Sequence, residues 1–311
     1  MTALPSGSVP AGGKQDCRAG EEAGIVRMAA AKVNLSLQII GKRPDGYHEL
    51  ESLVVFADFG DRLSFRPSAT VSLQVAGPFA AALKDTKENL VLRAAGGLLA
   101  GATFEGNPPG AAIRLEKGLP VAAGLGGGSA DAAAAIDGLL ALWKLPIEPE
   151  KLFELARSLG ADVPVCLHGQ ASIMRGVGEV IDPAPELPDF SLLLVNPGAA
   201  LATPNVFRAR QGAFSKVTDW PESFADLKSF VATLEGRPND LEAAAISLQP
   251  SVREVLDRLE ALPNCVLARM SGSGASCFGL FATLQEARHG EAALQVARPE
   301  WWVRAAACRR Q

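Results

Sequence analysis

Apolar and polar residues alternate near the start of the patterned part of the chain. From Lys32 to Ile40 one face carries Val33, Leu35, Leu37 and Ile39, and the other carries Asn34, Ser36 and Gln38. This period of two predicts a half-buried β-strand that ends at Gly41. We expect ordered structure to begin at Ile25, because residues 1–24 combine glycine, serine, proline and charge without the apolar core of a signal peptide. Residues 1–24 are therefore predicted to form a disordered tail.

The rest of the chain predicts strands interspersed with helices. Strands are predicted at 53–56, 62–65, 71–75, 111–115, 191–195, 265–269 and 277–281, with short strands between 171 and 181. Helices are predicted at 90–99, 130–143, 149–159, 222–234 and 251–262, with a final helix after 281. This order favours an α+β chain over a regularly alternating one. The proline-rich segment 182–188 is the best candidate for a linker between two halves.

Composition narrows the class of protein. The 311 residues are 48% apolar and 21% charged, which is enough for a sizeable core and about two domains. A net charge of −4 lacks the basic surface of a nucleic-acid binder. Five cysteines without a CxxC pair argue against a disulfide framework or a zinc site. No apolar run reaches the roughly 18 residues of a membrane helix, so we expect neither a membrane nor a nucleic acid as partner. The cysteine usage favours the reducing cytoplasm, and the sequence leaves open a monomer or a homodimer.

The strongest local signal is a glycine-rich segment between a predicted strand and a predicted helix. It comprises Pro120, Val121, Ala122, Ala123, Gly124, Leu125, Gly126, Gly127, Gly128, Ser129 and Ala130. Glycines let backbone N–H groups approach a ligand, and the N-terminus of a helix favours phosphate. We expect Ser129 to cap the helix that begins at Ala130. The alternative is a flexible loop before a capped helix.

Two common phosphate-binding motifs do not fit this segment. A Walker loop requires a lysine after its last glycine, but Ser129 follows Gly128. The dinucleotide fingerprint, counted from Gly124, requires a glycine at position 129. A second glycine loop, SGSGAS at 271–276, lies between two predicted strands. Alone it predicts a hairpin turn as readily as a ligand contact, but two such loops in different halves indicate a ligand at their junction.

Five motifs in matching order resemble the GHMP superfamily of small-molecule kinases. They are AKVNL at 31–35, DGYHEL at 45–50, the segment from Leu119 to Ala132, GADVP at 160–164 and MSGSGA at 270–275. The resemblance covers about residues 25–285. DGYHEL together with GADVPV is most similar to the family that phosphorylates 4-diphosphocytidyl-2-C-methyl-D-erythritol. That family transfers the γ-phosphate of ATP to the 2-hydroxyl with the help of Mg²⁺, a step of the non-mevalonate route to isopentenyl diphosphate.

The resemblance implies an architecture within the α+β class. It is the two-domain GHMP-kinase fold, with an N-terminal ribosomal protein S5 domain 2-like α/β domain and a C-terminal ferredoxin-like α+β domain. We place these domains at 25–181 and 189–311, after the tail at 1–24. The resemblance also places the site in the cleft between the domains.

Catalytic roles follow from the resemblance for Asp162 and Lys32. Asp162 matches the residue that orients or deprotonates the acceptor hydroxyl. Lys32 matches a lysine beside that base, where a cation offsets developing charge. Without the motifs, Asp162 would more often cap a short helix, and Lys32 would more often be a solvated strand residue. Asn34 points to the same face of its strand as Lys32, and its amide could bind substrate or pair with a neighbouring strand.

The resemblance also assigns binding roles. Tyr47 and His48 match residues that hold the cytidine end of the substrate, and Phe207 matches an aromatic residue on the other side of the base. Gly272, Ser273 and Gly274 are expected to contact phosphate. Ser129 could ligate magnesium or only cap its helix. Asp131 departs from the asparagine that many members carry, and it adds a carboxylate near the expected phosphates.

Three other functions are weighed against this interpretation. Another GHMP kinase, acting on mevalonate or homoserine, would have no need of aromatic residues to clamp a base. A dinucleotide-dependent oxidoreductase conflicts with the failed fingerprint. A non-catalytic nucleotide-binding module would not require both Lys32 and Asp162.

Overall fold

A computed structural model describes residues 24–83, 89–104 and 107–309. The strands are β1 Ile25–Asn34, β2 Gln38–Lys42, β3 His48–Ser68, β4 Ser72–Ala76, β5 Gly110–Glu116, β6 Ser172–Gly176, β7 Val180–Pro183, β8 Ser191–Asn196, β9 Leu267–Met270, β10 Cys277–Phe281 and β11 Trp302–Ala307. The helices are α1 Leu90–Gly101, α2 Gly127–Trp143, α3 Pro149–Leu159, α4 Val163–His168, α5 Thr203–Ala209, α6 Leu227–Glu235, α7 Glu242–Leu248, α8 Ser251–Glu260 and α9 Leu284–Ala297. The first strand begins at Ile25, and the predicted tail lies outside the described residues except for Gly24.

The strands form two sheets that follow each other along the chain. A seven-stranded sheet has the order β4-β5-β3-β6-β7, with β1 and β2 also paired to the 21-residue strand β3. A four-stranded antiparallel sheet has the order β11-β8-β10-β9. The proline-rich segment 182–188 leads from the first sheet to the second. This mixed arrangement confirms the α+β class, while the domain boundaries at 25–181 and 189–311 stay predictions.

Four apolar clusters hold the layers together in the part of the chain that the structure describes. Helices α1 and α2 pack alanine- and leucine-rich faces on the first sheet, and α3 packs on α1 and α4. Helices α8 and α9 pack on the second sheet, and α7 packs on α5 and α8. The third cluster joins the two sheets, because Val33 and Leu53 share it with Leu192, Phe230 and Phe278. The junction between the halves is thus a packed interface, and the glycine-rich loop lies at its edge.

The strand predicted from Lys32 to Ile40 is wrong in two respects. It is interrupted after Asn34 and resumes at Gln38, and its polar face is buried as well as its apolar one. Asn34, Ser36 and Gln38 are each less than 5% exposed. Strand β3 binds two of them, since the Asn34 amide donates to Oγ of Ser52 (2.7 Å) and Oγ of Ser36 accepts from the backbone N–H of Leu53 (3.1 Å). Alternation of apolar and polar residues predicts that the polar face is exposed to solvent, but polar side chains can be buried when they are hydrogen-bonded.

The start of α2 also differs from the prediction. The helix begins at Gly127, and Gly126, with φ of 63°, occupies the capping position. Ser129 is therefore the third helical residue and does not cap α2. By contrast, α3 has Pro149 as its first residue and Gly160 directly after its end, as predicted. The predicted strands at 53–56 and 62–65 belong to the single long strand β3.

Candidate active site

Two adjoining cavities lie on either side of the glycine-rich loop. The central cavity, of about 410 Å³, is lined by Lys32, Asn34, Leu37, Leu50, Leu90, Ala122, Ala123, Gly124, Gly126, Gly127, Gly128, Ser129, Ala161, Asp162, Met174, Val177, Thr203, Phe207, Leu241, Gly272 and Ser273. The side cavity, of about 420 Å³, is lined by Ala82, Leu83, Asn89, Leu90, Lys117, Pro120, Val121, Ala122, Gly127, Gly128 and Asp131. Both include Gly127 and Gly128, so an elongated ligand could occupy both cavities across the first turn of α2.

Lys32 and Asp162 meet in the central cavity. The Lys32 ammonium donates a hydrogen bond of 2.9 Å to Oδ2 of Asp162. The Lys32 side chain is 5% exposed and the Asp162 side chain 36% exposed, so the lysine is no solvated strand residue. Asp162 precedes α4 directly, yet its carboxylate makes no capping hydrogen bond to that helix. The carboxylate is held by the lysine and remains accessible from the cavity.

The glycines of the first loop make room for its neighbours. A side chain at Gly124 would meet the carbonyl oxygen of Ser271 at 2.4 Å, and one at Gly126 would meet Lys32 at 3.0 Å. Both glycines also have positive φ, of 76° and 63°, where glycine is favoured. At Gly127 a side chain would approach Nζ of Lys117 at 3.1 Å. The loop is thus fitted to two lysines and to the second glycine loop.

The second glycine loop is both a hairpin turn and part of the cavity wall. It joins the paired strands β9 and β10, and Gly272 and Ser273 line the central cavity. Its Ser271 hydroxyl donates to the carbonyl of Gly124 (2.9 Å). Gly274 is not among the lining residues; a side chain there would meet Met270 at 2.6 Å. The two loops predicted to share a ligand are therefore in direct contact.

Asn34 is buried beside Lys32 on the cavity side of β1. Its amide nitrogen donates to Oγ of Ser52 on β3 (2.7 Å), so it does pair with the neighbouring strand. Its Oδ1 has no hydrogen-bond partner among the described residues. A buried acceptor without a partner costs free energy. The same side chain is thus fixed at one end and free to accept a ligand donor at the other.

The structure brings together only part of the expected aromatic clamp. The ring centroids of His48 and Phe207 are 5.3 Å apart and their planes tilt by 31°. Partial burial, with the nearby charges of Lys42 and Arg210, lowers the pKa of His48, so its imidazole is neutral at pH 7. Tyr47 is 66% exposed and is not among the residues lining the central cavity.

A buried ionic cluster beneath the loop escaped sequence analysis. The Lys117 ammonium binds Asp61 and also Oδ2 of Asp131 (2.7 Å). Oδ1 of Asp61 accepts hydrogen bonds from the backbone N–H groups of Gly118 (2.6 Å) and Leu119 (2.8 Å). Burial, together with the charge of Asp61, raises the pKa of Asp131 to about 7, although Lys117 opposes the shift. Asp131 is thus committed to a cluster, and no local motif links its three members.

Two further polar residues shape the cavity without a sequence signal. Asn239 donates from Nδ2 to the carbonyls of Met270 (2.8 Å) and Gly272 (2.9 Å), which fixes the second glycine loop. The hydroxyl groups of Thr203 and Ser273 are 2.7 Å apart. Each contact joins residues more than 30 positions apart in the chain, so sequence spacing could not reveal it.

The candidate metal ligand Ser129 lies in the first turn of α2 and lines the central cavity. Within 24–83, 89–104 and 107–309, no group of three or more His, Cys, Asp or Glu residues could hold a metal ion. In the same described part of the chain, no helix is long and apolar enough to cross a membrane.

Comparisons with known proteins agree with this geometry. The family models for the GHMP kinases N terminal domain and GHMP kinases C terminal match residues 89–170 and 224–297. A relative from Paramagnetospirillum magneticum, named 4-diphosphocytidyl-2-C-methyl-D-erythritol kinase, is 54% identical over 275 residues, covering 88% of this chain and 95% of the relative. One of the same name from Rhodospirillum rubrum is 48% identical, covering 90% and 91%.

Solved structures show the same relationship. A crystal structure of 4-(cytidine 5'-diphospho)-2C-methyl-D-erythritol kinase matches with a TM-score of 0.73 at 38% identity, covering 91% of this chain and 98% of that one. Homoserine kinase from Cytophaga hutchinsonii matches with a TM-score of 0.68 at 18% identity, covering 94% and 97%. The second likeness concerns the fold alone.

Proposed function

The chain belongs to the family of 4-diphosphocytidyl-2-C-methyl-D-erythritol kinases among the GHMP kinases, and we propose that it phosphorylates the 2-hydroxyl of that compound. It is an ATP-dependent small-molecule kinase, and the expected products are the 2-phosphate and ADP. The observation that best supports the proposal is the Lys32–Asp162 pair, which lines one cavity with the glycine-rich loop and with Phe207, whose ring contacts that of His48. This arrangement provides a loop for the phosphates of ATP, a carboxylate for the acceptor hydroxyl and an aromatic contact for the cytosine ring.

Asp162 acts on the acceptor hydroxyl. Its carboxylate is held by one lysine and remains accessible, so it can accept a hydrogen bond from the 2-hydroxyl and take its proton as the new P–O bond forms. Lys32 stabilises negative charge on the transferred group and keeps Asp162 in place. Phosphoryl transfer depends mainly on such positioning and charge compensation.

ATP binds across the first turn of α2. The N–H groups at a helix N-terminus have no intrahelical partners, and they favour phosphate. The phosphates lie along the glycine-rich loop from 120 to 130, and the γ-phosphate points toward Asp162 in the central cavity. The nucleoside end occupies the side cavity, which meets the central cavity at Gly127 and Gly128.

Mg²⁺ fits the residues at this site as an ion carried mainly by the nucleotide. Magnesium keeps several water ligands and is commonly held through substrate phosphates. Ser129, in the first turn of α2 and on the cavity wall, would supply a hydroxyl ligand. When bound, the ion neutralises charge on the phosphates.

The cytidine end lies against Phe207 and His48. An aromatic face stacks on a base, and the neutral imidazole can donate or accept a hydrogen bond at the base edge. Tyr47 stands next to His48 in the chain and is 66% exposed, so its ring is free to stack on the cytosine ring. Asn34 offers its free Oδ1 to the polar part of the acceptor.

The test is ADP release by the purified protein with Mg-ATP and each of several acceptors. We expect ADP with 4-diphosphocytidyl-2-C-methyl-D-erythritol and none above background with mevalonate, homoserine or no acceptor. ADP formed only with another acceptor would support kinase activity but contradict the assignment of His48 and Phe207 to binding of a cytosine base. Nucleotide binding without turnover on any acceptor would favour a non-catalytic module. The monomeric or homodimeric state and the cytoplasmic location stay predictions.

A further inference from the structure

One guanidinium joins two turns beside the central cavity. Arg43, directly after β2, donates from Nε to Glu49 on β3 (3.2 Å) and from Nη2 to Glu179 in the turn between β6 and β7 (2.6 Å). The three side chains are 22–43% exposed. The first contact stays within the β2–β3 hairpin, whereas the second ties that hairpin to a neighbouring one.

Glu179 is well fixed as the receiving group. Its other oxygen, Oε2, accepts a hydrogen bond of 2.5 Å from the backbone N–H of Val177. Partial burial opposes ionisation, but hydrogen bonds from Arg43 and from backbone N–H groups lower the pKa of Glu179 overall. The carboxylate is therefore charged at neutral pH. Val177 lines the central cavity, so the turn that holds Arg43 is part of the cavity wall.

The turn at 43–47 is closed on itself. The N–H of Arg43 donates to the carbonyl of Tyr47 (2.7 Å), and the N–H of Gly46 donates to the carbonyl of Arg43 (3.0 Å). The N–H of Tyr47 donates to Oδ1 of Asp45 (3.0 Å). A closed turn moves as one unit, so a tether at Arg43 also restrains Tyr47 and the adjoining His48.

We propose that Arg43 and Glu179 are positioning residues that hold this turn so that His48 stays against Phe207. His48 begins β3 and Phe207 lies on α5, in the other half of the chain, so their 5.3 Å contact depends on where the end of the β2–β3 hairpin is held. Restraining a binding group before the ligand arrives lowers the entropy lost on binding. This inference rests on the proposed function, because it assigns the contact to the base of the acceptor.

A double-mutant cycle with Arg43→Gln and Glu179→Gln tests the pairing. Glutamine at 179 can still accept the N–H of Val177, so the cycle removes chiefly the tie between the hairpins. We expect each variant to raise KM for 4-diphosphocytidyl-2-C-methyl-D-erythritol about fivefold, or ~1 kcal/mol. The double variant should be no worse than either single one. KM for ATP and kcat should stay within about twofold, because neither residue contacts the Lys32–Asp162 pair or the glycine-rich loop.

Glu49→Gln is the matched control. It removes the other carboxylate of Arg43 but leaves the tie to Glu179, so we expect KM for the acceptor within about twofold of the wild type. Arg43→Lys keeps the charge without the two-pronged geometry and should give an intermediate KM. Melting temperatures of all variants show whether each one is folded.

Three outcomes would overturn the inference. Additive effects of the two substitutions on KM for the acceptor, or an equal rise in KM for ATP, would show a general structural role. An unchanged KM for the acceptor in both single variants would show that the tie does not position the clamp. Absence of turnover by the wild type would instead overturn the proposed function, and this inference with it.

Discussion

Two lysines lie beside the glycine-rich loop, and each pairs with an aspartate from a distant part of the chain. Lys32 on β1 binds one carboxylate, that of Asp162, whose side chain is 36% exposed. Lys117, after β5, binds two carboxylates, those of Asp61 and Asp131, and all three side chains are at most 5% exposed. A side chain at Gly126 would meet the first lysine, and one at Gly127 the second. Two adjacent glycines thus lie beside two ionic sites, one with an accessible carboxylate and one that is almost fully buried.

The two sites differ in whether a carboxylate oxygen remains accessible to a substrate. Asp162 makes no helix-capping bond and faces the cavity, so one side of it is open to substrate. Asp61 uses its second oxygen to accept the backbone N–H groups of Gly118 and Leu119, which fixes the entry to the loop. We therefore assign the Lys32–Asp162 pair, in which the aspartate is accessible, to catalysis. We assign the buried cluster of Lys117, Asp61 and Asp131 to stabilisation of the fold.

The largest expected effect is on folding, from Lys117→Met. Removing the ammonium leaves two buried carboxylates without their cation, which typically costs about 3–5 kcal/mol. We expect urea unfolding to show this loss in the free energy of unfolding. Lys151→Met, at an exposed position on α3, is the control and should change it by no more than about 0.5 kcal/mol. A loss as small as that of the control would mean that the cluster does not stabilise the fold.

The next effect is on turnover, from Lys32→Met. The change removes the cation beside the transferred phosphate, so we expect kcat to fall about 100-fold or more. The free energy of unfolding should fall by only about 1 kcal/mol, because Asp162 can be hydrated once its partner is lost. Steady-state kinetics and urea unfolding of the same sample measure both. A large loss of stability with little loss of kcat would reverse the roles assigned to the two lysines.

The smallest effect is the pH dependence contributed by Asp131. Its pKa is raised from the ordinary 3.8 to about 7, so between these values the folded chain binds more protons than the unfolded one. The free energy of unfolding therefore falls as pH rises through this window and is level above it. An asparagine at position 131 would not titrate, so the difference in melting temperature between Asp131→Asn and the wild type should move in favour of the variant as pH rises.

Melting curves at pH 5 and pH 8 measure this effect. We expect Asp131→Asn to gain roughly 4–8 °C relative to the wild type between the two values, since a pKa of about 7 against 3.8 corresponds to about 2–3 kcal/mol over this interval. Asp257→Asn, which alters an exposed pair with Arg253, is the control and should show no comparable gain. A relative gain on going to lower pH would mean that ionised Asp131 stabilises the fold.

Helices and strands whose ends are marked by proline, glycine or polar loops could be predicted from the sequence. Pro149 and Gly160 delimit α3, and apolar residues between polar loops delimit β10. The AKVNL and GADVP motifs led to the contact between Lys32 and Asp162, because the resemblance related residues 130 positions apart. These predictions required only short patterns or a known motif.

Features made by packing between distant segments could not be predicted. The polar face that holds Asn34 and Ser36 predicts solvent exposure, but both side chains are buried and hydrogen-bonded to β3. Ser129 has the chemistry of a helix cap, but Gly126 takes that position because the backbone turns left-handed there. Nothing near Lys117 in the sequence indicates Asp61 or Asp131. Such contacts depend on the fold as a whole rather than on local propensity.

The most direct test of the account is a single-turnover measurement on Asp162→Asn. With enzyme in excess over radiolabelled Mg-ATP and with saturating 4-diphosphocytidyl-2-C-methyl-D-erythritol, rapid quenching measures the transfer step itself. We expect a transfer rate at least about 100-fold below that of the wild type, with the Kd for ATP within about twofold and with Asp257→Asn at the wild-type rate. Transfer by Asp162→Asn at the wild-type rate would contradict the assignment of the accessible pair to catalysis.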